Sequence, residues 1–380
     1  REALREFKSA MDAYAAAGGR VAYASKACCF KELYRIVGEE GCGADVVSGR
    51  ELYTALQAGF PAERLYFHGN NKSDAELRMA LEAGVGRIVV DNPTELRRLS
   101  AIAGEMGKTA PVYLRITPGV EAHTHSFIRT GQIDSKFGFT LESGEALQGA
   151  EEAVRLDAIA LKGFHCHIGS QIFDEEPFVH AAEVMLGFMD QVRQRTGTVA
   201  GELNLGGGFG AKYVESDRPK SRREMVRLVA GAVSKKAADL GYPCPYLVLE
   251  PGRSVVADAG ITLYTVGHVK KIPGVRTYVS VDGGMPDNPR YILYQSPYTA
   301  LIADRAGETP AETVTIAGRC CESGDLLQEN APLQACTPGD TLAVLSTGAY
   351  NLSMASNYNR LPRPAVVMTK AGEARVVVRG

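Results

Sequence analysis

The sequence predicts a two-part α/β protein, in which a (β/α)8 barrel is followed by a smaller antiparallel β domain. From residue 21 to residue 250, short β-rich runs alternate with amphipathic segments whose apolar residues recur at helical spacing. This alternation is typical of parallel strands joined by helices. After Ala259, turns containing Gly, Pro and Asp separate the β-rich runs and no long helical pattern intervenes, which indicates antiparallel pairing. We therefore expect a lead-in helix over 1–20, the barrel over 21–260 and the β domain over 261–380.

Eight β-rich runs are the predicted barrel strands, a number that matches a barrel of about 250 residues. They span residues 21–24, 44–47, 64–67, 87–90, 112–116, 161–167, 202–205 and 246–250. A doubly wound open sheet remains an alternative, because periodicity does not distinguish a closed sheet from an open one. The predicted strands of the β domain, a sandwich or barrel, span residues 261–269, 277–281, 312–317, 341–345 and 365–368.

Composition and charge exclude several classes of protein. The chain is 45% hydrophobic and 23% charged, as an ordinary globular protein is. Its net charge of -2, with the two signs interspersed, argues against a nucleic-acid binder. No apolar run reaches the roughly 18 residues of a membrane span, and the first residues have no secretory signal core. The eight cysteines include no C-x-x-C, so we expect reduced thiols in a cytoplasmic protein.

Lys26 is the first candidate for chemistry. It directly follows the first predicted strand, and barrel enzymes build their active sites at the carboxyl ends of the strands. A lysine traps a carbonyl group when partial desolvation or a neighbouring cation keeps its amine neutral. Position alone also allows an ordinary solvated charge.

Two further motifs follow predicted strands. The run Asn204-Leu-Gly-Gly-Gly-Phe-Gly210 offers backbone N–H groups without Cβ obstruction, which suits a phosphate cradle or a plain turn. It lacks the Lys-Ser/Thr of a nucleotide P-loop and does not match G-x-G-x-x-G. In Glu250-Pro-Gly-Arg253, the carboxylate can hold a pyridine nitrogen protonated and the arginine can grip a phosphate or carboxylate. A salt-bridged barrel rim is the alternative.

Histidines and a cysteine supply the remaining candidates. His165 and His167 alternate along a predicted strand, so we expect both imidazoles on one face. They resemble half of a metal site, but no third ligand stands at a familiar spacing, and we expect no metal. A flat imidazole stacked on a planar cofactor needs no other ligand. In the β domain, the thiol of Cys321 can donate a proton and the carboxylate of Glu322 can bind an amine, unless the pair only shapes a turn.

Together these motifs resemble the fold type III decarboxylases that use pyridoxal phosphate, and within them the diaminopimelate decarboxylase family. The resemblance rests on an ordered set of runs, each weak alone, that extends through nearly the whole chain. The runs are Tyr23-Ala-Ser-Lys26-Ala, Phe67-His-Gly-Asn-Asn-Lys72, Ala122-His-Thr-His125, Ser135-Lys-Phe-Gly138, His165-Cys-His-Ile-Gly-Ser-Gln171, Leu205-Gly-Gly-Gly208, Glu250-Pro-Gly-Arg253, Cys321-Glu-Ser-Gly-Asp325 and Gly348-Ala-Tyr350.

The resemblance implies a role for each candidate residue. Lys26 is similar to the lysine that holds pyridoxal phosphate covalently, and Glu250 to the partner of the pyridine nitrogen. Further cofactor contacts are implied for His167 as the ring stacked on the pyridine, and for Ser170, Gly206, Gly207, Gly208, Gly252, Arg253 and Tyr350. Substrate contacts are implied for Arg253, Arg290, Tyr294, Glu322 and Tyr350, with Glu322 as the amine ligand. Cys321 is similar to the thiol that returns a proton to the α-carbon.

The implied reaction converts meso-2,6-diaminoheptanedioate to L-lysine and carbon dioxide, the last step of bacterial lysine biosynthesis. The resemblance also implies a homodimer in which Cys321 and Glu322 reach the site of the neighbouring subunit. Rival functions are a decarboxylase acting on ornithine, arginine or a carboxylated polyamine, an amino-acid racemase, and a non-catalytic cofactor-binding barrel. Arg290 and Tyr294 disfavour the first, Glu250 disfavours the second, and the β domain disfavours the third. The run from Tyr294 to Tyr298 departs from the Gly- and Ala-rich pattern usual in the family.

Overall fold

The structure, a computed structural model, describes residues 1–120 and 135–380 and divides into two compact units. Unit 1 comprises Arg1–Gly210 and Pro219–Val255, and unit 2 comprises Ala211–Arg218 and Val256–Gly380. The motif that begins at Ala122 lies outside the described residues.

Unit 1 is built on a closed ring of eight parallel strands, which confirms the predicted barrel. The strands are β1 (Gly19–Ala24), β2 (Gly43–Val46), β3 (Leu65–Phe67), β4 (Arg87–Val90), β5 (Ala110–Thr117), β7 (Ile159–His165), β8 (Glu202–Asn204) and β9 (Tyr246–Leu249). Each strand pairs in parallel with the next, and β9 returns to pair with β1, so no open edge remains. A short strand, β6 (Phe139–Thr140), pairs only with the carboxyl end of β5. Ring closure excludes the open-sheet alternative.

Helices follow the strands, and side-chain caps fix where several of them begin. The helices of unit 1 are α1 (Glu2–Tyr14), α2 (Lys31–Glu39), α3 (Gly49–Gln57), α4 (Asp74–Ala83), α5 (Pro93–Glu105), α6 (Glu145–Arg155), α7 (Glu176–Thr196), α8 (Arg222–Asp239) and the short α9 (Arg253–Val256). The Ser48 side chain caps α3, and Asn92 caps α5 ahead of a proline in its first turn. Ser73 and Glu76 form a reciprocal capping box at α4. Because these caps begin each helix a few residues after the preceding strand ends, the loops at the carboxyl end of the barrel are short.

The barrel interior is filled with side chains. A buried layer of Ala22, Tyr66, Val89, Tyr113 and Val248 lies inside the ring. Parallel strands that are covered on both faces need apolar residues in both directions, which explains why β2 to β4 read as short apolar runs. The barrel is therefore a rigid, packed support for residues at its rim.

Unit 2 contains a six-stranded sheet and a separate hairpin. The strands are β10 (Thr262–Ile272), β11 (Arg276–Val281), β12 (Ala300–Ile302), β13 (Glu312–Ala317), β14 (Leu326–Leu333) and β15 (Thr341–Val344), with the hairpin β16 (Val366–Lys370) and β17 (Glu373–Val378). The sheet order is β12-β15-β10-β11-β13-β14. Two short helices, α10 (Arg290–Tyr294) and α11 (Asn351–Met354), lie in the connections.

The pairing in unit 2 differs from the predicted antiparallel pattern at one place. Strands β11 and β13 are parallel, whereas the other pairs of the sheet are antiparallel. The connection between these two strands contains α10 and β12, and it is long enough to carry the chain back to the same end of the sheet. Strands β12, β14 and β17 were not predicted. Strand β12 has three residues, and β14 carries polar residues and a proline that obscure its periodicity.

All eight cysteines have free thiols, as predicted. Within residues 1–120 and 135–380, no helix combines the length and the hydropathy that crossing a bilayer requires.

Candidate active site

Lys26 lies at the carboxyl end of β1, on a single helical turn from Ser25 to Ala27, and its side chain is exposed. The turn is anchored to β2 because the Ser25 N–H donates to Asp45 Oδ1 over 2.6 Å and its hydroxyl donates to the Asp45 carbonyl. Burial and the charge of Glu250 raise the pKa of Asp45 well above its usual value, and the positive charge of Lys26 opposes that shift. Lys26 therefore stands beside buried acidic groups at the barrel mouth.

Glu250 follows β9 and presents a buried carboxylate at the centre of this end of the barrel. Its Oε1 lies 2.8 Å from His68 Nε2 and accepts from Asn204 Nδ2 over 2.6 Å. Its Oε2 lies 3.2 Å from His165 Nε2. Burial alone would raise the pKa of Glu250, but His68 and His165 outweigh burial and hold this pKa well below its usual value. The side chain is thus a buried anion that polar neighbours stabilise.

The two histidines act toward Glu250 as hydrogen-bond donors. A carboxylate only accepts hydrogen bonds, so each Nε2 that faces it carries the proton. Burial lowers the pKa of His165 to about 4, although the Glu250 charge opposes the shift, so this ring is neutral near pH 7. The ligand atoms of His68, His165 and Glu250 lie within 4.8 Å of one another, a spacing that could suit a metal ion. However, nitrogens that donate to Glu250 have no lone pair left for a metal.

His167 contacts the glycine run that begins at Gly206, whereas His165 contacts Glu250. Strand β7 ends at His165, two residues earlier than predicted, so the two rings are not related by strand alternation alone. The Gly207 N–H donates to His167 Nδ1 over 3.3 Å. Burial, together with the charges of Lys26 and Arg115, holds the pKa of His167 well below its usual value. A neutral, flat ring at this place suits stacking on a planar cofactor.

The glycine run is required by close backbone packing. A Cβ on Gly207 would lie 2.0 Å from the Glu250 carbonyl oxygen, and one on Gly206 would lie 2.6 Å from the Cys166 carbonyl oxygen. Gly206 and Gly208 also have φ angles of +67° and +111°, which glycine adopts without strain. The backbones of three strand ends therefore meet closely here. The Gly206 and Gly207 N–H groups donate to Asn204 Oδ1 and His167 Nδ1, and contact of these glycines with phosphate stays a prediction.

Arg253 and Ser170 come together across the barrel mouth. Arg253 Nε and Nη2 donate to Ser170 Oγ over 3.2 and 3.0 Å, and Arg253 is buried. Gly252 packs against β1, where an added Cβ would lie 2.8 Å from the Ala24 Cβ. The planar guanidinium of Arg253 is therefore held at a fixed place, as recognition of an anion requires.

Sequence reasoning missed a buried charged network beside this site. Lys72 Nζ donates to Glu95 Oε1 over 2.6 Å and to the carbonyl oxygens of Gly69 and Val89 over 2.7 Å each. Reasoning from sequence also gave no role to Asp45, His68, Asn204, Asp91 or Arg115. A usable signal existed for several of them, since Asp45 and Arg115 interrupt apolar strands near their carboxyl ends.

Unit 2 holds the remaining candidates. Arg290 begins α10, is 4% exposed, and donates from Nη1 to the Tyr298 hydroxyl over 2.8 Å. Its guanidinium carbon lies 4.9, 6.0 and 5.5 Å from the ring centroids of Tyr213, Tyr294 and Tyr298. Within the described part of the chain, no carboxylate forms an ion pair with Arg290. A buried cation in this state is suited to receive a carboxylate from a ligand.

Cys321, Glu322 and Tyr350 are placed differently. Cys321 and Glu322 are exposed in a turn, where the Cys321 N–H donates to Asn359 Oδ1 over 2.8 Å. Glu322 Oε1 accepts from the Gly324 N–H over 3.2 Å. Tyr350 precedes α11 in a left-handed conformation, with a φ of +68°. That conformation is unusual for a tyrosine and marks a tightly specified turn.

The chain is similar to known proteins throughout its length. Residues 1–257 match the family described as pyridoxal-dependent decarboxylase, pyridoxal binding domain. The diaminopimelate decarboxylase of Bacillus subtilis (strain 168) is 53% identical over 100% of this chain and 86% of its own length. That of Mycobacterium tuberculosis (strain ATCC 25618 / H37Rv) is 44% identical over 95% of this chain and 83% of its own length. This chain belongs to the diaminopimelate decarboxylase family.

Solved structures agree with this membership. The diaminopimelate decarboxylase from M. jannaschii in complex with L-lysine has a TM-score of 0.91 and 34% identity, covering 99% of this chain and 86% of that one. A lysine/ornithine decarboxylase from Vibrio vulnificus, with a TM-score of 0.79 and 23% identity over 95% of this chain and 90% of that one, shares the fold. As a member of the diaminopimelate decarboxylase family, the chain is a decarboxylase that uses pyridoxal phosphate. The buried anion Glu250 and the buried guanidinium of Arg253 fit such a group.

Proposed function

We propose that this chain converts meso-2,6-diaminoheptanedioate to L-lysine and carbon dioxide with pyridoxal phosphate as cofactor. The observation that carries the proposal is the buried carboxylate of Glu250, held by His68, Asn204 and His165 at the barrel mouth that also bears Lys26. Decarboxylation needs an anion at this place, because it keeps the ring nitrogen of the cofactor protonated. A racemase of this fold would carry an arginine there.

The candidate residues of unit 1 hold the cofactor. When bound, pyridoxal phosphate supplies a ring that accepts the electron pair released as carbon dioxide leaves. Lys26 would hold it covalently, and the neutral ring of His167 would stack on the planar ring of the cofactor. The glycine run from Gly206 to Gly208 would contact its phosphate group together with Tyr350, and Ser170, Gly252 and Arg253 would make further contacts with the cofactor. Glu250 holds the proton at the ring nitrogen.

The substrate is selected in unit 2. The end of the substrate that does not react carries both a carboxylate and an ammonium group. Arg290 binds the carboxylate with Tyr294 and Tyr350 beside it, and Glu322 binds the ammonium. Ornithine has no second carboxylate, so it would leave the Arg290 guanidinium buried and unpaired, which is costly. Cys321 returns a proton to the α-carbon.

The active form is a homodimer with shared sites. Cys321 and Glu322 are exposed in this chain, whereas their proposed roles need contact with substrate. A neighbouring subunit supplies the missing enclosure if these two residues reach its barrel mouth. A cytoplasmic location is also proposed, since free thiols are typical of a reducing compartment. We also propose that residues 21–260 form the cofactor-binding domain and residues 261–380 the second functional domain.

The deciding experiment is a decarboxylation assay. The purified protein is incubated with pyridoxal phosphate and meso-2,6-diaminoheptanedioate, and lysine and carbon dioxide are measured. Ornithine, arginine and a carboxylated polyamine serve as competing substrates, and Lys26→Ala is the control without the cofactor lysine. Stoichiometric lysine and carbon dioxide from meso-2,6-diaminoheptanedioate alone are expected. Faster carbon dioxide release from ornithine would contradict the proposed substrate.

A further inference from the structure

The two oxygens of Glu250 are not equivalent. Each carboxylate oxygen has two lone pairs that can accept hydrogen bonds. Oε1 uses both, one for His68 Nε2 at 2.8 Å and one for Asn204 Nδ2 at 2.6 Å. Oε2 has a single and longer contact, with His165 Nε2 at 3.2 Å. Oε2 is therefore the oxygen that keeps a lone pair for a further donor.

The two donors to Oε1 are themselves held in place. The Asn204 amide is oriented because its Oδ1 accepts from the Gly206 N–H over 2.8 Å, which turns Nδ2 toward Glu250. The backbone N–H of His68 donates to the Val46 carbonyl over 2.8 Å, and Lys72 Nζ donates to the carbonyl of the following residue, Gly69. By contrast, His165 Nδ1 is buried and has no hydrogen-bond partner within the described residues. The Oε1 side is thus the anchored side.

We propose that His68 and Asn204 are positioning residues, which occupy Oε1 of Glu250 and leave Oε2 as the oxygen that meets the protonated ring nitrogen of the cofactor. This inference rests on the proposed function. Asn204 also joins the two ends of the site, since one amide group contacts both the glycine run and Glu250. A buried carboxylate that loses an anchoring donor can rotate or take up a proton, and either change weakens its hold on the ring nitrogen.

The test uses two variants of His68, one without a side-chain hydrogen-bond donor and one with such a donor. His68→Leu removes the donor and fills the place with an apolar side chain of similar size. His68→Gln restores a donor, because its amide nitrogen reaches about as far as Nε2. Each variant is loaded with pyridoxal phosphate labelled with ¹⁵N in the ring, and the ring ¹⁵N chemical shift is measured beside kcat and KM. The shift reports protonation of the ring nitrogen directly and does not depend on substrate.

For His68→Leu we expect the ¹⁵N signal to move toward the unprotonated position and kcat to fall about tenfold or more, equivalent to about 1.4 kcal/mol. KM should change less than about threefold, because substrate binding is not altered. His68→Gln should restore both the shift and kcat to within about threefold of the original protein. This rescue distinguishes a donated hydrogen bond from simple packing of the imidazole ring.

Other results would overturn the inference. They are an unchanged shift and kcat in folded His68→Leu, or a His68→Gln protein as impaired as His68→Leu. If His68→Leu does not fold by circular dichroism, His68→Asn replaces it, since its shorter amide does not reach Glu250, and the same outcomes decide. Failure of the original protein to make lysine would refute the proposed function alone, because the ring-nitrogen measurement would still test the positioning role.

Discussion

Replacement of Glu250 by alanine removes the carboxylate that three donors surround inside the barrel. Without this anion the ring nitrogen of the bound cofactor loses its proton, and the electron pair left by carbon dioxide loses its main stabilisation. We expect kcat to fall at least about a hundredfold, which corresponds to roughly 2.7 kcal/mol of barrier. The cofactor should still bind, because Lys26 and the glycine run are unchanged.

The same replacement also affects the fold, and the assay must separate the two effects. Glu250→Ala leaves His68, Asn204 and His165 as buried donors without an acceptor, at about 1–3 kcal/mol each. The free energy of unfolding of the apoprotein, measured in urea, should therefore decrease by several kcal/mol.

Glu250→Gln is the matched variant for this purpose. It keeps the shape and one acceptor oxygen but has no negative charge. We expect its kcat to be nearly as low as that of Glu250→Ala, with a smaller loss of stability. Single-turnover kinetics on protein loaded fully with cofactor gives the comparison. Near-normal turnover in folded Glu250→Gln would refute the electrostatic role of Glu250.

Four further predictions follow from the same geometry. Borohydride should fix the cofactor on Lys26, and peptide mapping to any other lysine would contradict the assignment. Inactive Lys26→Ala and Cys321→Ala proteins, mixed and re-associated, should regain about a quarter of the sites if sites are shared between subunits, whereas each mutant alone should regain nothing. Arg290→Leu should raise KM for meso-2,6-diaminoheptanedioate by about tenfold or more, through loss of a charge-assisted hydrogen bond worth about 1.5–3 kcal/mol, while the KM for ornithine, if any turnover is detected, should not rise. His165, with its pKa held at about 4 against an ordinary 6.5, takes up its proton more readily when unfolded. Unfolding free energy should therefore fall as pH drops from 6.5 to 4, and this slope should be smaller in His165→Gln.

The sequence alone determined the elements that depend on local pattern. The eight barrel strands were predicted within a few residues, because parallel strands buried on both faces read as short apolar runs between amphipathic helices. The location of candidate residues after these strands followed as well, since parallel strands present their carboxyl ends on one side. Lys26, the glycine run and Glu250 were found in this way.

In unit 2, local pattern was less informative. Strand β14 carries an internal proline and polar residues, so its periodicity does not indicate a strand. The parallel pairing of β11 with β13 depends on how the intervening chain returns across the sheet. Neither feature is recorded in the spacing of apolar residues, because both are set by contacts between segments far apart in the chain.

Only the tertiary structure decided which polar groups meet. His68 and Glu250 are 182 positions apart, and Asn204 and Glu250 are 46 apart. Nevertheless, His68 and Asn204 both contact the same carboxylate oxygen of Glu250. Such partnerships arise when ring closure brings distant strand ends together and buried polar groups must find hydrogen bonds there. A sequence pattern reports whether a residue is buried and in which element, whereas the partner of a buried polar group is fixed by the closed barrel.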